Sequence, residues 1–251
     1  MRIFGLLGYP LHHSRSKEYF NAKFREENLR NCLYENFQLE NIADIQTLLS
    51  SNPDIEGLNV TIPHKTAVMT FLDDSDNAAK AIGAVNCLKI SKNFEIIKIK
   101  GFNTDAEAFK QSLKPLLVNF HGKALILGSG GSAKAVSYVL NKMDIQHLFV
   151  SRSPKAKNEI SYPEIDSQCI ENHKLIINCT PAGTFPDIDT APDLPFHLLD
   201  KEHILFDLVY NPEETLFLKK GKAQGASTKN GLEMLYLQAE ASWKIWNSNE
   251  E

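Results

Sequence analysis

The sequence has few cysteines, few tryptophans, no excess of positive charge and no long hydrophobic run. Its 251 residues include 4 Cys and 2 Trp, and 27 Lys and Arg stand against 31 Asp and Glu, for a net charge of −4. This balance argues against a broad nucleic-acid-binding surface. No apolar run approaches the roughly 20 residues that span a bilayer. The composition therefore predicts a globular protein without a nucleic-acid or membrane partner.

The four cysteines are widely separated and form no C-x-x-C pair. Such spacing argues against a structural metal site and favours free thiols in a reducing compartment. The first residues, MRIFGLLGYPLHHS, lack the apolar length and the small-residue cleavage site of a secretory signal. We therefore expect a cytoplasmic protein with no bound metal.

Short apolar runs alternate with amphipathic stretches throughout the sequence, which predicts an α/β fold. In the second half, KALILG, HLFVSRS, KLIINCTP and HILFDLVY are apolar on both faces, as the strands of a covered parallel sheet are. We predict two domains, each with a mostly or wholly parallel sheet. AVNCLKI and FEIIKIKGFN additionally predict a hairpin whose tip is Ser91-Lys92-Asn93.

A glycine-rich turn separates the strand KALILG from a helix. Gly128, Gly130 and Gly131 lie in LILGSGGSAKA, and Ala133 takes the third position of the dinucleotide-binding fingerprint. Glycines at such a turn let backbone N–H groups approach a pyrophosphate at the helix N-terminus. The strand–turn–helix context predicts a Rossmann-like dinucleotide-binding domain.

The end of the next strand indicates which dinucleotide would bind. An NAD site usually has an acidic residue there, whereas HLFV is followed by Ser151, Arg152 and Ser153. A permanently charged guanidinium favours a 2′-phosphate. NADP is the predicted cofactor, and a solvated basic loop is the alternative.

Four polar clusters fall at strand ends in the first half of the chain. They are HSRS (13–16), NVTIPHK (59–65), GAVN (83–86) and GFNTD (101–105). Hydroxyls, amides, a lysine and a carboxylate suit a small, polyhydroxylated, anionic ligand, although each residue alone is more often a cap or turn residue. The chemistry would require Lys65 and Asp105 to meet, and the sequence alone does not show that they do.

Taken in order, these motifs resemble the shikimate dehydrogenase family nearly from end to end. GYPLHHSRS, GLNVTIPHK, GAVN and GFNTD match its first four motifs. GSGGSAKA is similar to its cofactor loop, and SRS, NCTPAG, FDLVYNPEET and NGLEMLYLQA follow in the family's order. The resemblance implies a reversible, NADP-dependent reduction of 3-dehydroshikimate to shikimate, in the pathway to chorismate and the aromatic amino acids, without a metal.

The resemblance also implies a substrate-binding catalytic domain over residues 1–108 and 233–251 and an NADP-binding Rossmann-like domain over 109–232, with the last helix returning to the first domain. Lys65 and Asp105 would be the catalytic pair. The substrate-binding residues would be Ser14, Ser16, Asn59, Thr61, Lys65, Asn86, Asp105, Tyr210 and Gln238. The cofactor-binding residues would be Gly128, Ser129, Gly130, Gly131, Ser132, Ser151, Arg152, Ser153, Thr180, Leu208 and Gly231. The protein would be a monomer or a homodimer.

Some positions depart from the family pattern. Lys17 stands where proline is frequent, Phe20 where histidine is usual, and Cys87 where threonine commonly follows GAVN. None of these changes removes a proposed catalytic group. Two alternatives are a relative that also accepts quinate or NAD and, from another class, an NADP-sensing protein without catalysis. Arg152 argues against the first, and the presence of both Lys65 and Asp105 argues against the second.

Overall fold

The computed structural model describes residues 1–11, 15–94, 96–118 and 120–248. The chain forms two compact units, one made of Met1–Asp105 and Leu237–Glu251 and the other of Ala106–Tyr236. The prediction of two α/β domains is therefore confirmed, while the functional assignment of each domain, with its boundaries near 108 and 233, stays a prediction. None of the helices within the described ranges combines the length and the hydropathy needed to span a bilayer.

The first unit contains a mixed six-stranded sheet. Its strands are β1 (Arg2–Gly8), β2 (Cys32–Gln38), β3 (Ile55–Val60), β4 (Asp74–Ser75), β5 (Cys87–Asn93) and β6 (Ile96–Phe102). Their order is β2-β1-β3-β5-β6-β4. β1 pairs in parallel with β2 and β3, β4 pairs in parallel with β6, and β5 is antiparallel to both of its neighbours. The predicted mostly parallel sheet is confirmed, with β5 running against the rest.

Three short helices connect these strands. They are α1 (Arg15–Glu26), α2 (Ile45–Ser51) and α3 (Asn77–Ile82). Asp76 caps α3 by accepting a hydrogen bond from the Ala79 N–H at 2.7 Å, and Gly83 ends it in the left-handed conformation, with φ at 68°. A glycine adopts this left-handed backbone conformation without the strain that a side chain would bring, and so lets the chain turn sharply towards β5.

The predicted hairpin of β5 and β6 exists, but its predicted tip is wrong. Ser91, Lys92 and Asn93 belong to β5, and Asn93 pairs with Ile96. The Lys92 ammonium lies 2.6 Å from the carbonyl oxygen of Pro53. This long-range contact holds the polar end of β5 in the sheet, although its composition resembles that of a turn.

The second unit contains an all-parallel six-stranded sheet. Its strands are β7 (Ala124–Leu127), β8 (His147–Val150), β9 (Glu159–Ile160), β10 (Leu175–Asn178), β11 (Ile204–Asp207) and β12 (Ser227–Lys229). Their order is β12-β11-β10-β7-β8-β9. From β7 the chain adds β8 and β9 on one side and then β10, β11 and β12 on the other, as in a doubly wound nucleotide-binding sheet. Every residue of β7, β10 and β11 is buried, which explains their continuous apolar runs.

Helices connect the parallel strands of this unit. They are α5 (Gly131–Lys142), α6 (Ser167–Asn172) and α7 (Leu216–Ala223). Two more helices, α4 (Asp105–Leu113) and α8 (Leu232–Trp246), contain the points where the chain passes from one unit to the other. Within the second unit they meet where the Ser112 hydroxyl donates a hydrogen bond of 2.8 Å to the Glu233 carboxylate.

The last part of α8 belongs to the first unit, as the prediction of a returning C-terminal helix requires. Trp246 lies 4.9 Å from Phe4 between ring centroids, and its indole N–H donates to the Leu88 carbonyl at 2.9 Å. Phe20 stacks on Tyr34 at 4.5 Å in the same cluster. Pairs of buried aromatic rings stabilise such a cluster by about 0.5–1.5 kcal/mol each beyond area burial. Phe20 therefore serves packing in this chain.

Candidate active site

Lys65 and Asp105 form a close ion pair in the first unit. The Lys65 ammonium lies 2.6 Å from Asp105 Oδ2, and the two side chains are only 15% and 9% exposed. An ammonium and a carboxylate held together in this way can exchange a proton with an oxygen bound beside them. Lys65 and Asp105 are therefore in contact, as the chemistry predicted from the motifs requires.

Neighbouring strands bring the two residues together although 40 positions separate them. Lys65 follows β3, and Asp105 follows β6 as the first residue of α4. β5 lies between β3 and β6, and the Val85 N–H just before β5 donates to the Lys65 carbonyl at 2.8 Å. The alternating strand directions place the end of β3, the start of β5 and the end of β6 at the same edge of the sheet.

Asn86 connects the ion pair to the adjoining backbone. Its Oδ1 accepts from the Thr104 N–H at 2.6 Å, and its Nδ2 donates to Asp105 Oδ1 at 2.9 Å. Because a backbone N–H can only donate, the amide of Asn86 has one orientation. Asp105 is thus held by Lys65 on one oxygen and by Asn86 on the other.

Two other predicted substrate residues join this cluster. Gln238 on α8 lies with Oε1 3.4 Å from Asn86 Nδ2. Asn59 on β3 is 4% exposed, and its Nδ2 lies 3.4 Å from the Asn86 carbonyl. The structure therefore brings Lys65, Asp105, Asn86, Asn59 and Gln238 into one hydrogen-bonded group.

The remaining predicted substrate residues are placed less directly. Ser16 is buried in the first turn of α1. The Thr61 N–H donates to the Leu7 carbonyl at 2.9 Å, just after β3. Ser14 lies outside the described residues. Tyr210 is half-buried in the second unit, shortly after β11.

The glycine-rich turn of the second unit has the geometry of a phosphate-binding loop. Gly128, directly after β7, has φ at 102°, where a residue with a side chain would be strained. Ser129 and Gly130 are exposed, and Gly130 is the N-cap of the 12-residue helix α5, which begins with Gly131 and Ser132. The N–H groups and the dipole of a helix N-terminus favour a bound phosphate. These residues fit a dinucleotide pyrophosphate.

The loop after β8 contains the residues that are predicted to bind the 2′-phosphate of NADP. Ser151 is buried, and its hydroxyl oxygen accepts from the Ser153 N–H at 3.1 Å. Arg152 and Ser153 are exposed. Burial raises the pKa of the nearby Tyr162 phenol, and the positive charge of Arg152 opposes that rise. The loop therefore offers an exposed guanidinium to an anion.

Three predicted nicotinamide-side residues are linked through Asn178 at the end of β10. The Thr180 hydroxyl donates to Asn178 Oδ1 at 2.6 Å, and the Leu208 N–H donates to the Asn178 carbonyl at 3.0 Å. Gly231 packs so closely on Leu208 that a Cβ atom there would overlap the Leu208 carbonyl. A Cβ atom on Gly128 would lie 3.2 Å from Thr180 Cγ2, so this group borders the glycine turn.

The motif reading missed several buried polar residues that hold these groups. In the second unit, Asp207 is fully buried and accepts from Asn178 Nδ2 at 2.9 Å and from the Thr215 hydroxyl at 2.6 Å. In the first unit, Tyr34 and Ser242 both hydrogen-bond to Asn59. Asp207 lies inside a quoted motif, FDLVYNPEET, whereas Tyr34 and Ser242 have no local sequence signal.

All four cysteines are free thiols. Cys87, at the start of β5, is fully buried, and its burial raises the pKa of the thiol to about 12. A thiol with so high a pKa is a poor nucleophile. Cys87 therefore contributes packing beneath the site and no chemistry.

Comparison with known proteins relates this geometry to a family. The family model of the shikimate dehydrogenase substrate binding domain matches residues 6–88. A shikimate dehydrogenase (NADP(+)) of Methanococcus maripaludis is 36% identical over 263 aligned positions, which cover 98% of this chain and 91% of that protein.

Solved structures agree over nearly the whole length. Shikimate dehydrogenase 1 of Peptoclostridium difficile is 33% identical, has a TM-score of 0.85 and covers 100% of this chain and 93% of its own. The Thermus thermophilus shikimate 5-dehydrogenase, solved with NADP(H) and shikimate, is 30% identical, has a TM-score of 0.84 and covers 98% and 94%. The chain belongs to the shikimate dehydrogenase family.

Proposed function

We propose that this protein is an NADP-dependent shikimate dehydrogenase, an oxidoreductase that reversibly reduces 3-dehydroshikimate to shikimate on the way to chorismate and the aromatic amino acids. The observation that carries the proposal is the Lys65–Asp105 pair at 2.6 Å, in a chain that is similar over almost its full length to shikimate dehydrogenases. A relative named for NADP(+) and another solved with NADP(H) and shikimate support the choice of cofactor and substrate.

In this proposal Lys65 moves the proton. During reduction the Lys65 ammonium donates a proton to the substrate carbonyl oxygen as it becomes a hydroxyl, and in the reverse direction the amine takes the proton back. NADPH, when bound by the second unit, would supply the hydride that the reduction needs. Asp105 holds the lysine beside that oxygen through their 2.6 Å contact. Proton and hydride together complete the two-electron reduction, so the reaction needs no metal.

The other polar residues of the cluster would orient the substrate. We assign Ser14 and Ser16 to its carboxylate, Tyr210 to the same end, and the amides to its ring hydroxyls. Asn59 and Asn86 are 4% and 2% exposed. Buried amides with fixed partners discriminate strongly between a hydroxyl and its absence, because an unpaired buried polar group is costly. Thr61 and Gln238 complete the proposed set.

The second unit would hold the cofactor. Gly128 to Ser132 would bind the pyrophosphate at the N-terminus of α5, and Ser151 to Ser153 would bind the 2′-phosphate. Thr180, Leu208 and Gly231 would border the nicotinamide. Arg152 carries the preference for NADP, since a guanidinium pairs with a phosphate and gains little from a 2′-hydroxyl.

Localisation, partners and oligomeric state remain predictions. We propose that the enzyme works in the cytoplasm and that its partners are its small-molecule substrate and cofactor, with no nucleic acid or membrane. A monomer or a homodimer is expected. An enzyme of broader specificity for quinate or NAD is the second candidate, and a sensor without catalysis is the third.

The deciding experiment follows NADPH absorbance with purified protein. Shikimate and quinate are each supplied with NADP⁺ and with NAD⁺. Fast reduction is expected with shikimate and NADP⁺ alone. Comparable rates with quinate or NAD⁺ would replace the proposal by the broader enzyme. Binding of NADP⁺ without turnover of either substrate would replace it by the sensor.

An Arg152→Ser variant tests the cofactor assignment in the same assay. We expect the KM for NADP⁺ to rise about 10- to 100-fold, because charge-assisted hydrogen bonds are lost, while the KM for NAD⁺ stays unchanged. Arg30→Ser, at an exposed arginine of the first unit, is the matched control and should change neither value. An unchanged KM for NADP⁺ in Arg152→Ser would remove this residue from the cofactor site.

A further inference from the structure

Both ends of the Asn59 amide are hydrogen-bonded to side chains that lie outside the family motifs, those of Tyr34 and Ser242. We propose that Tyr34 and Ser242 are positioning residues, which fix the amide of Asn59 so that its oxygen, Oδ1, faces the substrate as an acceptor. The proposal rests on the proposed function in one respect, namely that Asn59 contacts a substrate hydroxyl. All the residues involved belong to the first unit.

The direction of each hydrogen bond follows from an acceptor on α8. The Ser242 hydroxyl lies 2.9 Å from the carbonyl oxygen of Gln238, which can only accept, so Ser242 donates there. A hydroxyl carries one hydrogen. Ser242 Oγ therefore accepts from its remaining neighbours, from Asn59 Nδ2 at 2.8 Å and more weakly from the Thr104 hydroxyl at 3.4 Å.

A second acceptor independently gives the same orientation. Asn59 Nδ2 also lies 3.4 Å from the carbonyl oxygen of Asn86. Turning the amide over would bring Oδ1 against that carbonyl, and two acceptors would face each other in a buried site. Both arguments place the NH₂ group of Asn59 towards α8 and Asn86.

Tyr34 holds the opposite end of the amide. Its hydroxyl lies 2.9 Å from Asn59 Oδ1, and since Oδ1 can only accept, Tyr34 donates. The phenol ring is fully buried and stacks on Phe20, with 4.5 Å between centroids and 9° between planes. A carbonyl oxygen has two lone pairs, and Tyr34 uses one of them. The other is the position to which a substrate hydroxyl would donate.

The two positioning residues should therefore affect substrate binding more than chemistry. Tyr34 bonds to Asn59, whereas the ion pair of Lys65 and Asp105 is held by Asn86. Ser242 bonds to Asn59 as well but also lies 3.4 Å from the Thr104 hydroxyl, which accepts from Asn86, so Tyr34 is the cleaner position to test. Loss of the Tyr34 hydroxyl leaves Oδ1 with an unfilled buried lone pair and removes one restraint on the amide. The proton transfer at Lys65 keeps its own restraints.

Tyr34→Phe tests the proposal because it keeps the ring and removes only the hydroxyl. We expect the KM for shikimate to rise about tenfold, with kcat within about twofold and the KM for NADP⁺ unchanged. Tyr19→Phe is the matched control: its hydroxyl bonds Glu240 in the same unit, outside the Asn59 group, and its removal should leave the KM for shikimate unchanged.

A double variant distinguishes positioning from general loosening. Ser242→Ala should also raise the KM for shikimate, and Tyr34→Phe/Ser242→Ala should raise it by less than the product of the two single effects, since both act through one amide. An unchanged KM for shikimate in Tyr34→Phe, an equal rise in the KM for NADP⁺, or fully multiplicative effects would overturn the proposal.

A measurement without substrate separates this proposal from the proposed function. The side-chain amide hydrogens of Asn59, assigned by their loss in Asn59→Asp, should exchange with solvent slowly in the wild-type protein and at least tenfold faster in Tyr34→Phe. Fast exchange in both proteins overturns the fixed amide. A wild-type protein with slow exchange but no oxidation of shikimate instead overturns the proposed function and leaves the fixed amide supported.

Discussion

Replacing Lys65 with alanine removes the ammonium group that lies 2.6 Å from Asp105. We expect kcat for shikimate oxidation to fall by about 10²- to 10⁴-fold, because the proton acceptor is lost. The far-ultraviolet circular dichroism should be unchanged, since Lys65 lies in a turn outside the helices and strands. Steady-state kinetics and the spectrum of the same preparation make the measurement.

Lys80→Ala is the matched control for Lys65→Ala. Lys80 pairs with Asp74 at 3.0 Å in the same unit, but both side chains are more than half exposed. Such a surface pair contributes little, so turnover should be unchanged. Turnover near the wild-type value in Lys65→Ala would remove this residue from the catalytic role.

At the residue scale the sequence predicts the chemical groups of the site better than their partners. The motifs pointed to Lys65, Asp105 and Asn86, which the structure brings together. They did not point to Tyr34, because a single tyrosine in a strand resembles any other core residue. The hydrogen bond from its hydroxyl to Asn59 joins residues 25 positions apart on separate strands, and a local sequence pattern cannot predict such a contact.

At the scale of elements, the close approach of Gly231 to the backbone of Leu208 leaves no room for a single added carbon. In Gly231→Ala the new methyl group would overlap the Leu208 carbonyl, so the start of α8 or the end of β11 must move. We expect a loss of about 1–3 kcal/mol in the free energy of unfolding. The KM for NADP⁺ should rise as well, because Leu208 borders the proposed nicotinamide position.

Denaturant unfolding and cofactor kinetics of Gly231→Ala provide the test. If Gly231→Ala unfolds at the wild-type denaturant midpoint, the backbone around residues 208 and 231 adjusts to the methyl group without loss of stability. Lost stability combined with an unchanged KM for NADP⁺ would mean that Gly231 serves packing alone.

Element types are more predictable than element ends. Period and composition identify the apolar strands β7, β8, β10 and β11 of the second sheet and the glycine turn before α5. They do not identify the short edge strands β9 and β12. The predicted end of β5 is too early, because residues 91–93 resemble a turn in composition but continue the strand. Lys92 bonds there to carbonyls near α2, about 40 positions earlier in the chain. Strand order likewise depends on such distant pairings, and the sequence did not predict it.

At the scale of the whole molecule, the buried Asp207 makes stability depend on pH. Burial raises the pKa of Asp207 to about 6, and its hydrogen bond from Thr215 opposes the rise. The native state therefore retains a proton that the unfolded chain, with its ordinary pKa of 3.8, releases at lower pH. This contribution to stability is present below about pH 4 and is lost as pH rises to about 6, at most about 3 kcal/mol.

An Asp207→Asn variant isolates this contribution. Between pH 5 and pH 7.5 the wild-type protein should lose stability relative to the variant, since other titrating groups cancel in the difference. Thermal unfolding followed by circular dichroism at both pH values is suitable, because both tryptophans lie in the first unit and fluorescence would miss the second. Parallel pH dependence of the two proteins would contradict the assignment.

The position of Trp246 has a consequence for the order of events on the ribosome. A side chain on Gly57 would overlap Trp246, so β3 is shaped to receive the final turn of α8. Domains fold as units while the chain emerges. The second unit is one continuous segment and is complete once residue 236 is free, whereas the first unit waits for its C-terminal residues. The half of the protein that is translated first is therefore the half that is finished last.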